Sequence, residues 1–159
     1  LMCELGDDVV FGMHPHVIQP MEWKTSSRGT KTLVVYSLGN FVSGMVAGKN
    51  VLAGMLELNL IKDKESGKVS IEAPKFIPIV THYTKESKVA SNDTGYRNFK
   101  IYYLKDYTSE LAESHGVCKY ERAKGTTLVG GGFSLETLRM TLNKYIPDEF
   151  LPTEFKSNQ

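Results

Sequence analysis

The sequence predicts a mixed α/β fold of the α+β kind, with strands through its first two thirds and helices in its last third. Three observations predict it. Short apolar runs rich in β-branched residues end at glycine-containing loops, residues 51–61 tend toward period two, and two segments beyond residue 105 carry helix caps and stops.

Taken in order, Leu1-Met2-Cys3-Glu4-Leu5-Gly6 reads as the last turn of a helix stopped by a glycine, so the chain is expected to be the later part of a longer one. Asp8-Val9-Val10-Phe11-Gly12 is a short apolar run entering a glycine, the pattern of a buried strand that ends at a loop. Residues 17–23 and 32–38 flank a polar, glycine-containing turn at 24–31, which is hairpin patterning. The second of these runs stops at Gly39-Asn40. Residues 51–61 form the next expected strand, and a charged turn follows at 63–68. Strand patterning resumes over 69–73 and 75–80, where Pro74 and Pro78 argue for edge positions or a bent strand. Residues 99–104 form one more strand. Asp106 is placed to cap a helix over 107–115 with Gly116 as its stop, and Ser134 to cap a second that ends at Pro147. In that second helix Leu135, Leu138, Leu142, Tyr145 and Ile146 share one face. Residues 85–98 and 118–133 are expected to be loops.

Composition narrows the function classes. The 159 residues are 41% hydrophobic, enough for a core, and 19 Lys+Arg against 18 Asp+Glu leave a formal charge of +1. Nothing in that balance favours a nucleic-acid partner. The longest apolar stretch, 51–61, is broken by Glu57 and Asn59 and falls short of the roughly 18 residues a membrane helix needs, so no span is expected. Cys3 and Cys118 are too few for a disulfide framework or a thiolate metal site.

His14-Pro15-His16 is the sharpest local feature. If the segment is extended, residues i and i+2 point to one side and two imidazoles can face one metal, with Pro15 stiffening their presentation. The pair directly follows an apolar strand, and strand-end loops are where α/β folds place ligands. Asp7 and Asp8 start that strand and lie too far away to join them. His82 reads as an ordinary strand-end residue, and His115 as a cation near a helix C-terminus. Asn40 is either a site residue or the punctuation of a turn. Gln19 and Glu22 are candidates to orient an imidazole from behind. Gly130-Gly131-Gly132 reads as a flexible joint in preference to an anion cradle, since no phosphate-loop signature accompanies it.

Two strings in order, Asp8-Val9-Val10-Phe11-Gly12-Met13-His14-Pro15-His16-Val17-Ile18-Gln19-Pro20 and Tyr36-Ser37-Leu38-Gly39-Asn40-Phe41-Val42, resemble the CapA family of bacterial capsule or poly-gamma-glutamate synthesis proteins. That family is related to calcineurin-like metallophosphoesterases. The resemblance covers about residues 6–60; residues 77–83 and 107–115 look like the family's C-terminal portion.

The resemblance implies the C-terminal part of a metallophosphoesterase-like two-sheet sandwich flanked by helices. Residues 1–83 would belong to its core and residues 84–159 to a C-terminal extension. It carries His14 and His16 onto the superfamily's last metal-binding motif, usually Gly-His-x-His. Here Met13 follows Gly12 and the glycine spacing differs by one. Asn40 carries over as a family-typical residue near the site. The family's earlier motifs do not occur in the sequence, so an intact site would draw its other ligands from upstream. The implied cofactor is a divalent metal (Mn, Fe or Zn), and any activity that of a metal-dependent hydrolase in the intact protein, the isolated chain being inactive. The implied setting is the extracellular face of the bacterial membrane, with an upstream anchor. The implied partners are an anionic polymer or the capsule-synthesis membrane complex. The alternative role is a non-catalytic accessory or scaffold that binds the polymer or its synthase during export. An isolated part would also expose faces open to self-association.

Overall fold

Two three-stranded sheets organise the computed structural model, which describes residues 2–45, 47–87, 89–119 and 128–156. With the helices around them they make a mixed α+β fold, the class the sequence predicts.

The first sheet holds β1 (Val9–Phe11), β2 (Met21–Thr25) and β3 (Lys31–Val35) in the order β1-β3-β2. β3 is its centre, parallel to β1 and antiparallel to β2, and Thr32 to Val35 are all buried. The β2–β3 hairpin turns where Ser26 N–H donates to Thr30 O, with Gly29 at φ +81° supplying the left-handed residue the turn needs. A single helical turn, α1 (Met2–Leu5), precedes β1 and stops at Gly6. Its Glu4 carboxylate accepts the Ser27 N–H and hydroxyl, which ties α1 to the hairpin turn.

After another short turn, α2 (Gly48–Val51), the antiparallel second sheet follows: β4 (Leu52–Lys62), β5 (Val69–Lys85) and β6 (Tyr96–Tyr103), with β5 central. The sequence predicts edge positions or a bent strand at the prolines; β5 is one central strand of 17 residues, not an edge, and it carries a bulge beside Pro74. Each proline is accommodated for a separate reason. Pro74 sits at a bulge, where the register slips between Glu57 and Asn59 and Ala73 takes φ +48°. Pro78 pairs with Gly54, whose N–H points away from β5 to Leu38 O; the pair therefore exchanges no hydrogen bond, and the Pro78 nitrogen faces the side where β6 has not yet begun to pair. A second bulge, at Asn98 (φ +54°), lets β6 start at Tyr96, earlier than the predicted residue 99.

Two helices lie beyond the sheets. α3 (Ser109–Ser114) is shorter than predicted: Asp106 belongs to a 3-10 turn, Leu104–Asp106, and the cap is Thr108, whose hydroxyl accepts the Leu111 N–H. α4 (Leu135–Tyr145) is capped by Ser134 in a reciprocal arrangement with Thr137, a contribution of about 1 kcal/mol. Leu138, Leu142 and Ile146 bury one face as predicted, whereas Tyr145 is exposed. Gly116 does not simply stop a helix; it opens a 3-10 turn, Gly116–Lys119. Much of the predicted 118–133 loop lies outside the described residues. Gly130, Gly131 and Gly132 all have positive φ, which only glycine adopts readily in succession.

One apolar cluster joins the layers: Met21, Leu33 and Val35 from the first sheet meet Leu52, Phe76 and Val80 from the second and Leu138 and Leu142 from α4. Phe76 fits because Gly54 faces it; a Cβ there would lie 2.1 Å from the ring. Each fully buried leucine contributes roughly 1.5–3 kcal/mol. No helix among the described residues is long and apolar enough to cross a membrane.

Candidate functional site

The candidate site forms where two chain segments leave the first sheet side by side. Gly12 follows β1, and its N–H donates to Val35 O at 2.7 Å. A side chain there would collide with Tyr36 O, 2.2 Å from the Cβ position, so only glycine lets the strand exit so close to its neighbour. The chain then bends through residues 13–17 and returns along the extension of β3. Ile18 bridges Leu38 in antiparallel sense, and Gln19 N–H donates to Ser37 O. Counting outward from Ile18↔Leu38, antiparallel register sets residue 16 opposite residue 40.

His16 and Asn40 do meet. The His16 Nδ1 to Asn40 Oδ1 distance is 2.8 Å. Asn40 is buried, and its amide nitrogen is turned to Asn50 O at 3.4 Å and Met45 Sδ at 3.8 Å. Because Asn50 O can only accept, the Asn40 amide must present nitrogen to it and oxygen to His16. His16 Nδ1 therefore carries the proton, and Nε2 keeps its lone pair. From α2 the Asn50 side chain donates to His16 O at 2.8 Å, so the two asparagines hold both the ring and the backbone of one histidine.

His14 stands beside this assembly, its ring centroid 6.1 Å from that of His16 and the planes at 52°. Both imidazoles are exposed. The backbone that presents them is not the extended segment the sequence suggests: φ is +97° at His14 and +58° at His16. Such values in non-glycine residues cost on the order of 1–3 kcal/mol each and persist where the surroundings over-determine them. Here the Asn50 and Asn40 bonds do so at His16.

The other predicted site residues separate from this centre. The Glu22 carboxylate accepts the Tyr36 hydroxyl at 2.6 Å and pairs with Lys24 at 2.9 Å, and these contacts, Tyr36 first, hold it below the usual carboxylate range. Gln19 joins the return strand through its backbone; no hydrogen bond links its side chain or Glu22 to either imidazole. Asp7 and Asp8 lie at the opposite end of β1, where their carbonyls accept from Thr32 and Leu33. Asn50 is the residue that sequence reasoning misses. It lies outside both recognisable strings, and only the packing of α2 against the histidine loop brings it in.

The remaining histidines form a second, buried pair. His82 lies within β5 with Nδ1 at 2.8 Å from the Tyr107 hydroxyl. His115 is not the solvated cation expected of a helix end. It is 0% exposed, and burial pushes it down to about 4, which makes it neutral at pH 7.

The donor set bears on a metal. A metal–nitrogen distance of about 2.0–2.1 Å and a tetrahedral angle place two ring centres that share one ion roughly 5 Å apart. The 6.1 Å spacing is about 1 Å wider, a difference that side-chain rotation of the exposed His14 can close, and His16 is held in the tautomer with a free Nε2. By their donor chemistry, two exposed imidazoles with the Nε2 of His16 free, the two histidines fit as part of a ligand set. Among the described residues no three His, Cys, Asp or Glu side chains gather as a metal-binding group. A groove of about 1090 Å³ between the β4–β5 hairpin and the C-terminal segment, near Pro74, Tyr103 and Phe155, holds no histidine and mixes lysines with glutamates. It lies apart from this chemistry.

No curated protein and no solved structure matches the chain. Residues 1–45 match the family model of the bacterial capsule synthesis protein PGA_cap, and they include β1, the histidine loop, the first hairpin and Asn40. The segment that builds the His14, His16 and Asn40 centre is therefore similar to that of a bacterial capsule synthesis protein, the family its two strings resemble.

Proposed function

We propose that the chain is part of a cell-surface capsule-synthesis protein in which His14 and His16 supply two ligands to a divalent-metal site of the metallophosphoesterase kind. One observation carries this reading: the Asn40 amide oxygen fixes the proton on His16 Nδ1, leaving Nε2 as a lone-pair donor on the same exposed loop as His14. A hydrogen-bond acceptor behind a ligating imidazole, most often a carboxylate, a backbone carbonyl or water, holds its tautomer and orientation, and the Asn40 amide oxygen takes that place here.

His14 and His16 would hold the ion, with further ligands drawn from the family's earlier motifs. A bound divalent metal supplies Lewis acidity toward a phosphoryl or acyl oxygen and lowers the pKa of water. The chain's own residues prepare for this. Asn40 aims Nε2, Asn50 fixes the loop backbone, Gly12 lets the end of β1 approach the end of β3, and Gly39 lets the segment after β3 approach β4. At Gly39, φ is +75° and a Cβ would lie 3.1 Å from Leu52 O.

The test is metal content and calorimetry with Mn²⁺ and Zn²⁺ on the chain and on a His14→Ala/His16→Ala variant. Two imidazoles alone predict weak binding by the chain that disappears in the variant. Equal binding by both would refute the assignment. The accessory role differs at the level of the intact protein: polymer production that survives the double substitution, by a metal-free protein, would favour it.

A further inference from the structure

His115 occupies a site with no room for a charge. The Tyr83 ring lies 4.5 Å from it, Phe133 4.7 Å and His82 4.8 Å between centroids. Both its nitrogens are used. Nε2–H donates to Thr81 O at 3.0 Å, and Nδ1 accepts the Val117 N–H at 2.9 Å. A backbone N–H can only donate, so this tautomer is fixed and the ring is neutral. The groups facing the pair offer a proton no counter-charge. β5 contributes His82 and Tyr83, and β6 contributes Lys100 and Tyr102. Tyr107 stands before α3, and Cys118 follows in the 3-10 turn. Lys100 opposes charge on His82, and Glu113 of α3 acts on Cys118.

Thr81 then leads to the candidate site. Its carbonyl accepts from His115, while its hydroxyl donates to Phe41 O at 2.9 Å, the residue next to Asn40. One residue thus touches the buried histidine on its backbone side and the site loop on its side-chain side.

We propose that the His82–His115 pair is an acid-sensitive lock on the candidate site, released when a solvent proton binds His115 Nδ1. That proton turns an acceptor into a donor, so two N–H groups confront each other where one hydrogen bond stood. Val117 is expelled, the Gly116–Lys119 turn loosens, and His115 moves off Thr81. The Thr81 hydroxyl then loses its hold on Phe41, and the loop carrying Asn40 relaxes. This inference goes beyond metal binding and does not depend on it.

The experiment is an NMR titration of the metal-free chain from pH 7.5 to 4, following the Val117 amide, the Phe41 carbonyl carbon and the imidazole nitrogens, with far-UV circular dichroism as the monitor of global folding. The expected result is that Val117 and Phe41 shift together with the His115 ring, at a midpoint at least one pH unit below that of a free histidine and before dichroism is lost. Thr81→Val keeps the carbonyl for His115 but removes the hydroxyl. Val117 should still titrate in it, and the Phe41 response should vanish. In His115→Gln both responses should be lost, and His82→Gln should raise the midpoint. A Phe41 response that survives Thr81→Val originates at His16 and overturns the lock. So does a His115 that stays neutral until the fold is lost.

Discussion

His14 and His16 face solvent from a backbone forced into the left-handed region, whereas His82 and His115 lie buried with nitrogens already hydrogen-bonded inside the protein. The same side chain is thus used in two opposite ways. In the first pair the backbone carries the energetic cost and an imidazole nitrogen is left available. In the second the backbone is unstrained and the ring is consumed as a structural hydrogen-bond bridge. An imidazole whose two nitrogens serve Thr81 and Val117 has nothing to give a metal or a substrate.

Removing one member of each pair is the most forceful way to break this contrast. His115→Ala leaves Thr81 O and the Val117 N–H without a partner beside a new cavity, and should cost about 3–5 kcal/mol in urea unfolding. His14→Ala should stay within about 0.5 kcal/mol, as exposed positions do. Comparable costs at the two positions would erase the distinction.

Acid sharpens it next. The folded-state pKa of His115 is depressed from an ordinary 6.5 to about 4, so the unfolded chain takes up this proton first. Stability should therefore fall as pH drops from about 6.5 to 4 and level off for this group below that. The total is on the order of 3 kcal/mol, readable as the pH dependence of the urea midpoint and absent in His115→Gln.

Two smaller effects probe the exposed pair. Asn40→Ala frees the His16 ring to adopt the other tautomer, and should weaken divalent-metal binding about 10–100-fold by calorimetry. His14→Gly should raise stability by up to about 1 kcal/mol while lowering metal affinity, because glycine accepts φ +97° without strain. A loss of stability there would mean that the His14 side chain has a structural role after all.

What could be read beforehand follows the range of the forces involved. The β2–β3 hairpin and the Ser134 cap rest on contacts between near neighbours in sequence, and both were legible from residue type alone. Asn40 and His16 were each visible as candidates, yet their pairing depends on the Ile18↔Leu38 bridge, a contact between distant segments. At Pro74 and Pro78 local chemistry offered an edge or a bend and could not choose between them. Their fate is decided by a bulge and by which side of β5 each nitrogen faces. His115 misled for a like reason: a neighbouring glycine and a short helix suggest an exposed end, while Tyr83 and Phe133, far away in sequence, enclose it.

The parallel pairing of β1 with β3 also sets an order of assembly. β2 and β3 are joined by a tight turn and can zip on the microsecond scale, whereas β1 must close a loop across the entire hairpin before Val9 reaches Leu33. The histidine segment connects these early and late partners, so it takes its left-handed geometry only when β1 docks. Residues that acquire their native contacts late influence how fast a protein comes apart more than how fast it forms. Substitutions in the loop that carries His14 and His16 are therefore expected to change the unfolding rate while leaving the folding rate nearly unaltered, so that this loop sets how long the fold persists and not how fast it forms.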